Sequence, residues 1–275
     1  MLDSLQHICL MHGMEVDYYK KLFQTIGNIL DLIEKDDMPK YLLFLENAFP
    51  YMDNYNYHKG MKGIIQELKV LLKTKSIGTN SDRALLLDFQ AALETQPEKA
   101  IKLEKNALAQ IENITADNAR LVSNLHANLG GLYRMNGHPD LAREHMEKSI
   151  SLLDQFNLLH INDSIPQIAN YAMFLTEQQE PERGISELQK LSGIIKEYHS
   201  DDCLDYAKVQ ETLGTIYLMT ANLPQAKTHF KRAFKIYEKI WADEPEMIEA
   251  KYQEIQELYP QIGFSIGKTL SGLLT

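Results

Sequence analysis

One interval, 42 residues, recurs through the middle of the chain and constrains its fold more than any other feature. Residues 128–133 and 212–217 both read x-Leu-Gly-x-x-Tyr, and 84 residues separate them. Half of that interval leads to Tyr171, and a further 42 residues back leads to Leu87. A helix-breaking segment follows each anchor at a constant distance, at Pro97, Pro139, Pro181 and Leu223-Pro224. Four copies in one register, without an insertion, indicate a repeat protein.

Each copy predicts a pair of helices joined by a tight turn. Leu129, Leu132 and Tyr133 recur at helical spacing and would form one apolar stripe. The segment 137–139, Gly-His-Pro, ends that helix, and its proline fits the first turn of the next helix without losing a hydrogen bond. Small residues such as Gly130 let two helix axes approach closely. One hairpin cannot bury its apolar face alone, so neighbouring hairpins are expected to stack.

These residues resemble the tetratricopeptide repeat, whose pattern combines Leu-Gly-x-x-Tyr, a turn and further small residues. The 42-residue period resembles the long-helix variety found in kinesin light chains, and residues 205–214 are similar to that variety's entry into its first helix. The resemblance implies an all-α, right-handed superhelical solenoid of antiparallel helix hairpins. The sequence departs from the pattern at Asp88 and Leu191, where a small residue is usual, and at Gln179 and Ala221, where the turn often has glycine.

The predicted organisation has three parts. Residues 1–75 form an N-terminal helical cap, in which residues 38–75 faintly match a degenerate repeat. Residues 81–245 hold four repeats, and residues 246–275 form C-terminal capping helices. Amphipathic patterns predict flanking helices over 18–33, 40–49, 59–72, 247–259 and 262–274.

In the resembled family, the first helices of successive hairpins line a concave face that holds extended peptides. The resemblance maps nine residues to that face: Phe89, Asn124, Asn128, Arg134, Asn170, Met173, Lys208, Thr212 and Thr215. Asn128 and Asn170 share one offset, and an amide offers both a donor and an acceptor to a peptide backbone. The alternative is that these polar groups are solvated or bond to helix carbonyls.

Charge and hydropathy narrow the classes of partner. The formal net charge is −10, and residues 81–275 carry about nine of these negative charges, so nucleic acid is disfavoured and a basic partner is mildly favoured. No apolar run is long enough to span a bilayer, so membrane insertion is not expected. Two cysteines make no disulfide framework, which favours a cytoplasmic location.

No pattern of residues predicts catalysis or a cofactor. The single metal-like cluster is His7-x-Cys9-x-x-His12, but structural zinc requires four ligands, so we expect a capping helix and no metal. His138 and His145 straddle a turn and are expected at the surface and between helices. Phosphate loops, nucleotide fingerprints and nucleophile elbows are missing from the sequence.

The sequence therefore predicts a non-enzymatic module that binds a protein or an extended peptide. It would act as an adaptor or as the sensor arm of a larger regulator. Two alternatives stay open: an intracellular receptor for a signalling peptide, and a non-catalytic accessory subunit of an enzyme complex. Neither the partner nor the oligomeric state follows from the sequence.

Overall fold

The computed structural model describes residues 58–74, 78–161, 164–243 and 245–258, which form ten α-helices and no strand. The helices are α1 (His58–Thr74), α2 (Asn80–Ala92), α3 (Pro97–Leu108), α4 (Ala119–Met135), α5 (Pro139–Gln155), α6 (Ser164–Glu177), α7 (Pro181–Tyr198), α8 (Leu204–Met219), α9 (Leu223–Ile240) and α10 (Pro245–Leu258). The predicted helices over 59–72 and 247–259 correspond to α1 and α10. Those over 18–33, 40–49 and 262–274, and the cluster of His7, Cys9 and His12, lie outside the described residues.

The helix boundaries keep the period that the sequence predicts. Helices α3, α5, α7 and α9 begin at residues 97, 139, 181 and 223, at intervals of 42. Helices α4, α6 and α8 end at residues 135, 177 and 219, at the same interval. The chain therefore forms hairpins in phase with the sequence repeat, and that prediction is confirmed.

The turn after each of these first helices keeps one backbone conformation although its residue changes. Gly137, Gln179 and Ala221 have φ angles of 75°, 64° and 58°. The next backbone N–H donates to a carbonyl five residues back in each copy, over 2.9, 2.8 and 2.7 Å. This arrangement caps a helix C-terminus and normally places glycine in the left-handed region. Gln179 and Ala221 adopt it without glycine, so the hairpin geometry outweighs the residue preference.

The predicted close helix crossings are confirmed at two glycines. A Cβ at Gly130 would lie 2.5 Å from Met146 Cγ and 3.3 Å from the Ala142 carbonyl oxygen on α5. A Cβ at Gly214 would lie 3.0 Å from the ring of Phe230 on α9. Since such distances leave no room for a side chain, glycine is what allows the helices of each hairpin to pack this closely.

The chain divides into two compact units, residues 1–152 and 153–275. In the first unit, α2 packs on α1, α3 and α4. In the second, α6 packs on α7, α8 packs on α7 and α9, and α9 packs on α10. The predicted division at residues 75–81 and 245–246 is based on the repeat pattern and stays a prediction.

Candidate functional site

The residues predicted for the concave face have different environments in the first unit. Asn124 and Arg134 are half-buried on α4, and Asn128 is exposed on the same helix. Phe89 on α2 is only 3% exposed. Its ring belongs to the hydrophobic core, so we remove Phe89 from the candidate surface.

Asn128 belongs to a cluster with two acids that the sequence did not assign to a site. Its amide nitrogen donates to Asp88 Oδ1 over 2.8 Å and to Glu104 Oε1 over 3.3 Å. The three residues, which we name the Asp88 cluster, come from α2, α3 and α4. The alternative expectation, that the amide bonds within the protein, holds for Asn128, although its partners are carboxyl groups and not helix carbonyls.

Glu104 is the buried member of the Asp88 cluster, and only 2% of it is exposed. Burial, followed by the charge and hydrogen bond of Asp88, raises the pKa of the Glu104 carboxyl far above its ordinary range, and the bond from Asn128 opposes this only in part. Glu104 is therefore protonated at neutral pH. Its Oε2 atom is buried and has no hydrogen-bond donor in the described part of the chain.

The repeat shows what normally occupies these two positions. Asp88 corresponds to Gly130 and Gly214 at intervals of 42 residues, and Glu104 corresponds to Met146 and Phe230. In the second and fourth copies a glycine therefore faces a large apolar side chain across the hairpin. The first copy has two carboxyl groups instead. The departure at Asp88 was visible in the sequence, but Glu104 becomes informative only when its partner across the hairpin is known.

In the second unit the predicted residues lie on α6 and α8. Asn170 is exposed and Met173 is half-buried on α6. Lys208 is exposed, and its Nζ lies 3.9 Å from Asp205 Oδ1 on the same helix. The hydroxyls of Thr212 and Thr215 donate to helix carbonyls of residues 208 and 211, over 2.9 and 3.1 Å. The two threonine hydroxyls are thus used within α8, whereas the Asn170 amide faces solvent.

A stacked tyrosine–histidine pair recurs in the second and fourth copies, and sequence reasoning missed the pairing. The ring centroids of Tyr133 and His145 are 5.4 Å apart, and those of Tyr217 and His229 are 5.2 Å apart. These pairs stand 84 residues apart, at the interval of the Leu-Gly-x-x-Tyr segments, so the signal was present in the sequence. The expectation that His145 lies between helices is confirmed.

The hydrogen-bond partner of each stacked histidine differs between the two copies. His145 Nδ1 lies 2.9 Å from Nδ1 of His126, whereas His229 Nδ1 lies 2.9 Å from Oε1 of Gln210. Desolvation, then the charges of His145 and Lys148, lowers the pKa of His126 to about 4. The first pair is thus neutral at pH 7, and at least one ring must stay unprotonated for the bond to persist.

A polar network joins three helices at the end of the second unit. The Tyr237 hydroxyl donates to Glu211 Oε2 over 2.6 Å, and Lys251 Nζ lies 3.0 Å from Glu211 Oε1. The Trp241 ring stacks on Tyr237 with centroids 4.7 Å apart. Since these contacts connect α8, α9 and α10, they hold the last hairpin to the next helix and need no ligand to explain them.

One open cavity of about 450 Å³ lies in the second unit, lined by Pro181, Glu182, Ile185, Tyr217, Thr220 and Asn222. Within the described ranges, no group of three or more His, Cys, Asp or Glu side chains is placed to hold a metal ion. Among the described helices, none is both long and apolar enough to cross a bilayer.

Comparisons with known proteins agree with this geometry. Residues 164–239 match the family model described as the tetratricopeptide repeat. The solved structure of BtubC (BKLC) from P. vanneervenii is similar to this chain with 19% identity and a TM-score of 0.54, covering 66% of this chain and 72% of that one. A putative kinesin light chain of Podosopora anserina with nearly identical TPR-like repeats is similar with 14% identity and a TM-score of 0.54, covering 71% and 95%. No curated protein matches the chain by sequence.

At these identities the solved structures demonstrate a shared fold. The predictions of long, kinesin-light-chain-like tetratricopeptide repeats and of an all-α solenoid of antiparallel helix hairpins are confirmed.

Proposed function

We propose that this tetratricopeptide-type chain is a non-catalytic, cytoplasmic module that binds a protein or an extended peptide. It acts as an adaptor or as the sensor arm of a larger regulator. The observation that carries the proposal is the in-phase presentation of exposed amides on first helices: Asn128 on α4 and Asn170 on α6 occupy the same repeat offset.

The physical basis is the backbone of the ligand. An extended peptide leaves N–H and C=O groups unpaired, and each desolvated group needs a partner. A side-chain amide can donate to one such group and accept from another. Repeats in one register offer these amides at regular steps, which suits a ligand whose own groups recur at regular steps.

Asn170 gives the cleaner test, since the Asn128 amide already bonds to two carboxyl groups. Random peptides displayed on phage are selected on the whole chain, and enriched peptides are synthesised and titrated by calorimetry. Asn170→Ala should weaken binding about fivefold, since one hydrogen bond is worth about 1 kcal/mol. Gln189→Ala is the matched control, because Gln189 is an equally exposed amide on the second helix α7.

Two outcomes would contradict the proposal in different ways. Equal affinities for the wild type and Asn170→Ala, with a loss in Gln189→Ala, would move the contact surface to the second helices. The absence of enriched peptides, together with the absence of a partner in a pull-down from native lysate, would remove the binding function itself.

A further inference from the structure

We propose that the Asp88 cluster binds a lysine or arginine side chain of the partner. The proposal rests on the proposed binding function and adds the chemistry of one contact. It concerns the first unit alone, where Asp88 and Asn128 are accessible from solvent and Glu104 lies beneath them.

The first support is an unmet hydrogen-bond acceptor. Glu104 is 2% exposed, and its Oε2 atom has no donor among the described residues. Buried carboxyl oxygens without a donor are costly and are rare in folded proteins. A donor supplied by a bound partner would satisfy this atom, while the Asn128 amide stays on Oε1.

The second support is the comparison between copies of the repeat. The same two positions hold Gly130 and Met146 in the second copy and Gly214 and Phe230 in the fourth. An apolar crossing therefore suffices for the fold. Two carboxyl groups at a helix crossing reduce stability, and polar groups retained at such a cost are typical of functional sites.

The donor pattern selects the class of ligand. Carboxyl oxygens accept hydrogen bonds, and the amide nitrogen of Asn128 is already used, so a ligand must supply N–H donors with positive charge. Lys105, the next residue on α3, does not supply that charge, because its ammonium lies over the Tyr133 ring, 5.6 Å from the centroid. A hard metal ion would require about six oxygen ligands, more than three side chains provide.

Binding has a proton balance that can be measured. Asp88 on α2 is the titratable group that acts on Glu104, and the two carboxyl groups hold one proton between them at neutral pH. When the ammonium or guanidinium group arrives, Glu104 releases this proton to the buffer and becomes a carboxylate. The ion pair then replaces the shared proton.

The test uses peptides selected on the whole chain and a variant that restores the apolar crossing. Asp88→Gly with Glu104→Met reproduces the pair of residues at positions 130 and 146, so the variant should fold at least as well as the wild type. Asp117→Asn, an exposed residue in the loop before α4, is the matched charge control. Peptides selected on the wild type and on the control should be enriched in Lys or Arg at one position, and the double variant should bind them about tenfold more weakly or worse.

Calorimetry in buffers of different ionisation enthalpy adds a readout that a structural role would not change. At pH 7 the wild type should release up to about one proton per peptide bound, and Glu104→Gln should release none while staying folded, since an amide resembles the protonated acid. Enriched peptides without a conserved basic residue, or equal proton release by wild type and Glu104→Gln, would overturn the cationic contact and leave the binding function standing. The absence of enriched peptides would overturn both.

Discussion

The histidine pair of the first unit should make that unit sensitive to acid, and a single substitution should remove the sensitivity. His126 and His145 share one hydrogen bond between their Nδ1 atoms, whereas the equivalent His229 donates to the amide of Gln210. An amide oxygen accepts from a neutral or a protonated imidazole alike. His126→Gln therefore copies into the second repeat an arrangement that the fourth repeat already has.

The expected size follows from proton linkage. An unfolded histidine has a pKa near 6.5, and desolvation with the charges of His145 and Lys148 lowers the folded value to about 4. Below pH 6.5 the unfolded chain binds more protons, so the stability that His126 contributes is present at pH 7 and is lost as the pH falls towards 4. Full linkage gives about 2 kcal/mol between pH 7 and 5, and partial solvent exposure reduces this to about 1 kcal/mol.

The assay is urea unfolding at pH 7 and pH 5, followed by circular dichroism. The comparison must be between variants, because Glu104 acts in the opposite sense: its raised pKa gives stability that is present below the unfolded value and is lost as the pH rises. We expect His126→Gln to lose about 1 kcal/mol less stability than the wild type on acidification. The reciprocal variant, Gln210→His beside His229, should gain acid sensitivity of similar size.

Equal pH dependence in the wild type and His126→Gln would refute this reasoning. It would mean that the folded His126 titrates near its ordinary pKa and that the 2.9 Å contact does not constrain its protonation. Acid sensitivity unchanged in Gln210→His would show, in addition, that the local packing and not the partner of the histidine sets the response.

Three further predictions concern the repeat. Gly130→Leu should lower the free energy of unfolding by about 1–3 kcal/mol through overpacking, whereas Gly131→Ala, where a Cβ meets no described atom within 4 Å, should raise it by about 0.5–1 kcal/mol; thermal melts of both variants measure this. Gln179→Gly should raise the melting temperature, because relief of the left-handed backbone is worth about 1 kcal/mol, and an unchanged or lower value would show that no strain is present. Asp88→Gly with Glu104→Met should stabilise the chain by about 1–4 kcal/mol in urea unfolding at pH 7, and a loss of stability would show that the carboxyl pair supports the hairpin.

The sequence predicts the hairpins accurately because their determinants are local and repeated. A proline or its equivalent in the first helical turn, a small residue at each crossing and a 42-residue period specify where helices begin and which faces meet. Candidate site residues are harder to predict, because burial depends on neighbours distant in the sequence. Phe89 illustrates this: the pattern places it on a first helix at a predicted contact position, but the packing of α2 buries it. Glu104 illustrates the reverse, since its role depends on Asp88, 16 residues away across a turn.

The two titratable pairs distinguish the first unit from a generic stack of hairpins. At the crossing, the first copy has Asp88 and Glu104 where the second and fourth have glycine with an apolar partner. At the interhelical histidine, the second copy has His126 where the fourth has Gln210. Each pair replaces an alternative that the same chain uses elsewhere without loss of the fold, so neither is required by the architecture. The stability given by Glu104 declines as the pH rises and that given by His126 declines as the pH falls, so both pairs work against each other near neutrality. Chemistry that the fold does not require is concentrated between α2 and α5, and this is where we expect substitutions to change binding more than they change the helical content.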